Sequence, residues 1–190
     1  MDNLYPPPGT RHDVPANPFG LGGMDHVALS AHDPIRAARF YVEVLGGTLY
    51  YATGFSEDER RRGHVPHSFV HVGGVLVQTA YPNDGKTFAD PHSQSYWPHL
   101  AFSATAQALD RVQEQLRGQG VPFSGPHSHL NVEAVSIYFM DTEGNKLEVC
   151  TWDPYPPERV TLLGPGGVAI DWESLIHEWR PAEERQGSHP

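Results

Sequence analysis

A short segment occurs twice in this chain and constrains its fold more than any other feature. His-Val-Ala-Leu-Ser at residues 26–30 corresponds to His-Leu-Ala-Phe-Ser at residues 99–103. Each copy has the alternation of a strand, and each is followed by a helical pattern that stops at glycines. Repetition of a segment together with the elements that follow it indicates one structural module used twice.

The first module has the pattern βαβββ over residues 23–80. Asp33 and Pro34 are suited to the N-cap and the first turn of a helix, and apolar residues at helical spacing continue from there to Leu45. Two glycines join the last two strands in a hairpin. The remaining elements are predicted as a second strand, a charged loop and the two hairpin strands, at residues 48–53, 54–66, 67–72 and 75–80.

The second module repeats this order over residues 97–152. Its helix carries Leu109, Val112 and Leu116 on one face and ends at glycines. Its elements are predicted as a strand, the helix, a short strand and two longer strands, at residues 97–103, 106–119, 121–124, 132–140 and 145–152. The sequence therefore predicts an α+β domain of two βαβββ modules over residues 23–152.

Both ends of the chain lack this regularity. Residues 1–22 are rich in proline, glycine and asparagine and are predicted to form an irregular arm. Residues 153–190 are predicted as an irregular tail in which only residues 171–179 have the pattern of a short amphipathic helix.

The charge balance excludes two classes of partner. The chain has 13 basic and 23 acidic residues, for a net charge of −10, whereas nucleic acids and anionic membranes attract clustered Lys and Arg. The single cysteine, Cys150, cannot form an intrachain disulfide. No stretch has the pattern of a secretory leader or a membrane span, so we expect a soluble, cytoplasmic protein.

Three residues are candidate metal ligands. His26 and His99 occupy the same place in the two modules, as a site between the modules would require. Glu148 interrupts an otherwise apolar strand, where an ionised carboxylate is costly unless it has a partner such as a metal ion. Two histidines and one carboxylate suit Fe(II), Mn(II) or Zn(II) and leave coordination positions open for a substrate.

The doubled module with a histidine early in each copy and Glu148 on the last strand resembles the vicinal oxygen chelate superfamily. This superfamily includes glyoxalase I, fosfomycin-resistance transferases, bleomycin-binding proteins and type I extradiol dioxygenases. The resemblance covers residues 23–152. It implies a curved mixed sheet around a divalent metal that is held by His26, His99 and Glu148.

The residues before Glu148 resemble the signature of the type I extradiol dioxygenases. His129 is followed by seven residues, then by Ile-Tyr at 137–138, an Asp-Thr-Glu-Gly turn at 141–144 and Glu148. The Tyr and the turn are shared with fosfomycin transferases, but His129 is not. This resemblance implies a single-domain enzyme of natural-product biosynthesis that cleaves a small catechol, with L-DOPA as one candidate. It would use Fe(II) and incorporate both atoms of dioxygen.

The same resemblance implies roles for other side chains. His71 or His67 on the third strand is the expected acid–base group, with His92 as a further candidate. Tyr138 is expected to hydrogen-bond a substrate oxygen, and His129 is expected to donate to the substrate or to Tyr138. The residues expected to line the substrate pocket or to pair with a substrate carboxylate are Gln78, His92, Arg61 and Lys146.

Two other functions fit the same fold. One is an isomerase or a thiol transferase that uses Zn(II), Ni(II) or Mn(II) and no dioxygen. The other is a metal-free drug-binding protein, which would have no need of three metal ligands. The modules of this fold can also pair between chains, which makes a homodimer an alternative to a monomer.

Overall fold

Each module forms its own mixed sheet in the computed structural model, which describes residues 24–81, 90–93, 98–129 and 132–186. The first module consists of β1 (His26–Ser30), α1 (Pro34–Glu43), β2 (Thr48–Thr53), α2 (Glu57–Arg61), β3 (His67–Val72) and β4 (Val75–Ala80). The second consists of β5 (Leu100–Ala104), α3 (Ala106–Gln119), β6 (Phe123–His129), β7 (Val132–Met140) and β8 (Lys146–Thr151). The α+β class with two βαβββ modules is confirmed.

Both long helices begin and end where the local chemistry favours it. The Asp33 carboxylate accepts a hydrogen bond from the Arg36 amide at 3.0 Å, and Pro34 occupies the first turn of α1. Thr105 caps α3 in the same way, through the Ala108 amide at 3.2 Å. Gly120 ends α3 with a φ of +69°, a conformation that glycine adopts without strain.

The two sheets share one topology. Their strand orders are β1-β4-β3-β2 and β5-β8-β7-β6, so the first strand of each module pairs in parallel with its last strand. Ala28 lies opposite Gln78 in the first sheet, and Ala101 lies opposite Glu148 in the second. Gln78 is therefore the structural counterpart of Glu148. Within the described ranges, β1 and β5 are edge strands with one neighbour each.

The larger of two hydrophobic clusters joins the two modules. Helix α1 contributes Phe40 and Val44, and α3 contributes Leu109 and Leu116. The core residues of the sheets include Val70, Val72, Val77, Phe102, Ile137, Phe139, Leu147 and Val149. On the opposite face of the second sheet, Tyr138 and Met140 form a second buried cluster with Ile170, Trp172 and Leu175 of the tail.

One buried hydrogen bond crosses from the first module to the second. Tyr41 on α1 donates its hydroxyl hydrogen to Asp141, in the turn between β7 and β8, over 2.8 Å. The backbone amides of Glu143 and Asn145 also donate to the Asp141 carboxylate, at 2.9 Å each. Burial raises the pKa of both Asp141 and Tyr41. The turn before β8 is thus fixed to α1.

Three predicted elements were wrong for local reasons. Residues 57–61 form helix α2 rather than a loop, because Ser56 and Glu59 make a capping box. Strand β6 continues past Gly125 and Pro126 to His129, with a register shift that accommodates them. The predicted tail helix at 171–179 is reduced to a 3₁₀ turn at Glu173–Leu175.

The tail is more regular than the sequence pattern indicates. A 3₁₀ turn at Pro157–Arg159 precedes β9 (Thr161–Leu163), and a short helix, α4 (Ala182–Gln186), lies near its end. Strand β9 pairs in parallel with β6 and gives the second sheet a fifth strand. The predicted arm at residues 1–22 and the start of the strand predicted from Trp97 lie outside the described residues. No helix in the described ranges is long and apolar enough to cross a membrane.

Tyr41→Phe is expected to lower the free energy of unfolding by about 1–3 kcal/mol, because it leaves the buried Asp141 carboxylate without one of its donors. Chemical denaturation monitored by circular dichroism measures this change. Tyr155→Phe is the matched control, since the Tyr155 hydroxyl also donates to a carboxylate, Asp110, but at a partly exposed site. Equal destabilisation by the two substitutions would contradict the assignment.

Candidate metal centre

The second sheet brings a histidine and a carboxylate into contact. His99 directly precedes β5, and Glu148 lies on the neighbouring strand β8. His99 Nε2 is 2.7 Å from Glu148 Oε2, and the two side chains are only 8% and 9% exposed. An imidazole nitrogen and a carboxylate oxygen that converge in a buried place can bind a divalent metal ion.

Hydrogen bonds hold Glu148 in its ionised form. The Ser136 hydroxyl donates to Glu148 Oε1 over 2.5 Å, while His99 contacts the other oxygen. Burial alone would raise the pKa of Glu148, but the hydrogen bonds from His99 and Ser136, with Tyr138 contributing, hold it below its usual value. The carboxylate therefore carries its charge at neutral pH.

His129 and Tyr138 lie next to this carboxylate. His129 Nε2 is 3.2 Å from the Ser136 hydroxyl and 3.3 Å from the Tyr138 hydroxyl. Burial lowers the pKa of His129 and outweighs the opposite effect of Glu148, so the imidazole is neutral at neutral pH. The second module thus groups a charged carboxylate with neutral hydrogen-bonding side chains that can exchange protons with a ligand.

His26 belongs to the other sheet. Its Nδ1 is 2.7 Å from the Asp25 carboxylate, and its side chain is 43% exposed. In the described ranges, no three His, Cys, Asp or Glu side chains come together in a way that could hold a metal. One chain therefore brings together His99 and Glu148 of the predicted ligands and leaves His26 apart from them.

The open face of the first sheet carries His26 together with three predicted site residues. His71, Leu76 and His26 lie opposite one another in one row across β3, β4 and β1. Gln78 and His67 lie in the following rows on the same face. His71 is thus nearer to His26 in register than His67 is.

The remaining predicted residues have other surroundings. His92 contacts Glu173 at 3.1 Å on the surface, and Arg61 lies 3.7 Å from Glu57 on the exposed helix α2. Lys146 is buried on the same face of β8 as Glu148, and its ammonium lies 4.9 Å from the centre of the Trp172 ring. Burial lowers the pKa of Lys146.

Two residues of this site were not predicted from the sequence: Ser136, which contacts Glu148, and Trp172, which contacts Tyr138. Ser136 lies two positions before Tyr138 in β7 and shares its face, which is the signal that would have found it. Trp172 packs edge-on against Tyr138 with ring centres 6.0 Å apart. No periodicity in the tail indicates this contact.

Residues 23–149 match the sequence family described as the glyoxalase/bleomycin resistance protein/dioxygenase superfamily. The chain belongs to this superfamily. It is 24% identical to glutathione transferase FosA of Serratia marcescens over 131 residues, which are 68% of this chain and 80% of the relative.

Two solved structures of a fosfomycin-resistance protein, FosX of Listeria monocytogenes, show the same fold. The structure with Mn(II) and sulfate has a TM-score of 0.53 at 18% identity and covers 73% of this chain and 97% of that chain. The structure of a variant with Mn(II) and 1S,2S-dihydroxypropylphosphonic acid also has a TM-score of 0.53 at 18% identity and covers 70% and 94%.

The expected extradiol dioxygenase activity was wrong, and so were the catechol and dioxygen expected as its partners. The findings that overturn it are the similarity to a relative named as a glutathione transferase, FosA, and to the fosfomycin-resistance protein FosX. Tyr138 lies opposite Glu148 in the strand pairing, and His129 reaches both through Ser136 and the Tyr138 hydroxyl. The spacing of His129, Tyr138 and Glu148 therefore reflects the pairing of β6, β7 and β8, and it does not identify the reaction.

Ser136→Ala is expected to raise the pKa of Glu148 in the metal-free protein, because it removes a hydrogen bond that stabilises the ionised carboxylate. Carboxyl carbon NMR during a pH titration measures the shift. Ser103→Ala is the matched control, since Ser103 lies on the neighbouring strand β5, opposite Cys150. A Glu148 titration that is the same in both variants and the parent protein would contradict the role of Ser136.

Proposed function

We propose that this protein is a metal-dependent enzyme that activates a small electrophilic substrate for attack by a thiol or by water. The observation that carries the proposal is the buried contact between His99 and the ionised Glu148. Membership of the superfamily supports it, as does similarity to a relative named as a glutathione transferase.

The donor atoms fit a divalent metal ion. His99 and Glu148 would supply one nitrogen and one oxygen ligand, and His26 would supply the second nitrogen. Asp25 supports this role for His26, because a carboxylate that accepts the Nδ1 hydrogen fixes the ring with Nε2 available to a metal. Mn(II) is the favoured ion because the similar Listeria protein is described with it, and Fe(II) and Zn(II) are alternatives that the same ligands accept.

A second copy of the chain would complete the ligand set. His26 leads the edge strand β1, and His99 directly precedes the edge strand β5. Placing β1 of one copy beside β5 of another would bring His26 towards His99 and Glu148. The first sheet also exposes large apolar side chains, including Tyr50 at 74% and Tyr51 at 48%, which a homodimer would cover.

The side chains around the centre would divide the chemical work. A bound divalent ion polarises a substrate oxygen and makes the neighbouring carbon more electrophilic. Ser136 holds the Glu148 carboxylate in place, and the Tyr138 hydroxyl and neutral His129 would hydrogen-bond an oxygen that gains charge. His71, in the same row as His26, would be nearest among the first-module histidines to move a proton.

His99→Ala is expected to weaken Mn(II) binding by more than about 100-fold, beyond the effect typical of residues that only orient a ligand. Metal titration calorimetry and elemental analysis after dialysis measure the change. His92→Ala is the control, since this exposed histidine contacts Glu173 away from the His99–Glu148 pair. Parent-like affinity in the His99 variant would refute its assignment as a ligand.

Mixing two variants that each lack one metal ligand tests whether the site forms between two copies of the chain. His26→Ala and Glu148→Gln are each expected to lose metal binding, because each removes a ligand from every site. Random pairing in a symmetric dimer would restore roughly one site in four, since half the dimers would be mixed and each would hold one intact site. Elemental analysis of the refolded mixture measures this, and no recovery would contradict a site shared between two copies.

The reaction class is tested with Mn(II)-loaded protein, fosfomycin and simple epoxides, each with glutathione or with water alone. The expected result is consumption of an epoxide and formation of its thiol adduct or diol, detected by mass spectrometry. The His99→Ala variant serves as the control for uncatalysed reaction. Stoichiometric metal binding without turnover of any electrophile would overturn the proposed reaction.

A further inference from the structure

The chain continues past the residues that match the superfamily and returns to the site. The match ends at residue 149, and residues 161–172 then pass along the second sheet. Strand β9 pairs with β6, and the Thr161 hydroxyl lies 2.8 Å from His127 Nδ1. The segment ends at Trp172, which packs on Tyr138. We call residues 161–172 the tail segment.

A tight turn fixes the path of the tail segment. The Gly164 amide donates to the Val168 carbonyl at 2.9 Å, and the Gly167 amide donates to the Gly164 carbonyl at 2.9 Å. A Cβ atom at Gly167 would lie 1.9 Å from the carbonyl oxygen of Leu162, so no larger residue fits there without moving the backbone. The backbone of the tail segment is therefore fixed at this turn.

A cavity of about 440 Å³ lies between the tail segment and His129. Its volume is within the range of small-molecule binding sites. The described residues that line it are His129, Leu163, Gly164, Gly167, Val168, Ala169, Ile170 and Trp172. None of them is an acidic or a basic residue apart from His129, which burial keeps neutral, so an anionic group would lose its hydration without compensation there.

The cavity adjoins the candidate metal centre through two of its walls. His129 reaches Glu148 through Ser136, with contacts of 3.2 and 2.5 Å, and Trp172 packs against Tyr138. A molecule in the cavity would therefore contact His129 and Trp172, the neighbours of Ser136 and Tyr138 beside Glu148.

We propose that the tail segment forms a specificity wall and that the cavity binds an apolar group of the substrate, of the size of an aryl or a branched alkyl group. Apolar walls favour such a group because its transfer from water is favourable in proportion to the area buried. The inference rests on the proposed function for the reaction at the other end of the substrate. Binding of the apolar group itself requires no metal.

Calorimetry on metal-free protein tests the cavity without reference to catalysis. The probes are 1-naphthalenemethanol, cyclohexanemethanol and ethanol. We expect the two larger alcohols to bind at one site per chain and ethanol not to bind detectably. Ala169→Phe fills the cavity and is expected to weaken the larger probes by about tenfold or more. Ala182→Phe is the matched control, because Ala182 is exposed on α4 and does not line the cavity.

Absence of binding to the parent protein, or equal binding by the Ala169 and Ala182 variants, would overturn the inference. If Ala169→Phe lowers the melting temperature, Val168→Asp gives the same test, because a carboxylate on this exposed wall residue disfavours an apolar ligand. Probe binding that responds to these substitutions would support the inference even if the protein opened no epoxide, which separates its failure from that of the proposed function.

Discussion

Parallel pairing of the first and last strands of each module is the constraint on which the rest of the structure depends. Two parallel neighbours cannot be joined by a tight turn, so the chain between them must cross over, and here it does so through two further strands and at least one helix. The pairing puts the leading histidine of each module at a sheet edge. Ala28, two residues after His26, lies opposite Gln78. Ala101, two residues after His99, lies opposite Glu148.

Glu148 is a buried carboxylate that hydrogen bonds keep ionised. Burial disfavours its ionised form, and two hydrogen bonds to its separate oxygens reverse that preference. The Asp141 carboxylate, a few residues earlier, is also buried and hydrogen-bonded, yet its pKa is raised. The two pKa shifts differ in direction because burial outweighs the hydrogen bonds at Asp141 and the hydrogen bonds outweigh burial at Glu148. Glu148 is thus a carboxylate that could bind a metal ion, whereas Asp141 fixes the turn before β8.

The sequence predicted what short-range patterns encode. The repeat at residues 26–30 and 99–103, with the caps at Asp33 and Thr105, was sufficient for the module order and the two long helices. The contact between His99 and Glu148 follows from the parallel pairing that such a module requires. The position of His26 could not be predicted in the same way, because it depends on how two complete sheets are arranged.

The tail and the reaction escaped prediction for different reasons. The tail segment is held by scattered contacts, such as Thr161 with His127 and Trp172 with Tyr138, which leave no period in the sequence. The reaction was misassigned because His129, Tyr138 and Glu148 are spaced by the geometry of β6, β7 and β8. Residues that meet for architectural reasons can imitate a signature of chemistry.

The exchange of glutamate for glutamine between the two modules has an electrostatic consequence. Gln78 holds the position in the first sheet that Glu148 holds in the second, and it is neutral. In the proposed site between two copies, this position would therefore add no second carboxylate to Glu148. With Glu148 as its single carboxylate ligand, the proposed divalent ion would retain one unit of positive charge and would attract the electron-rich oxygen of an incoming molecule.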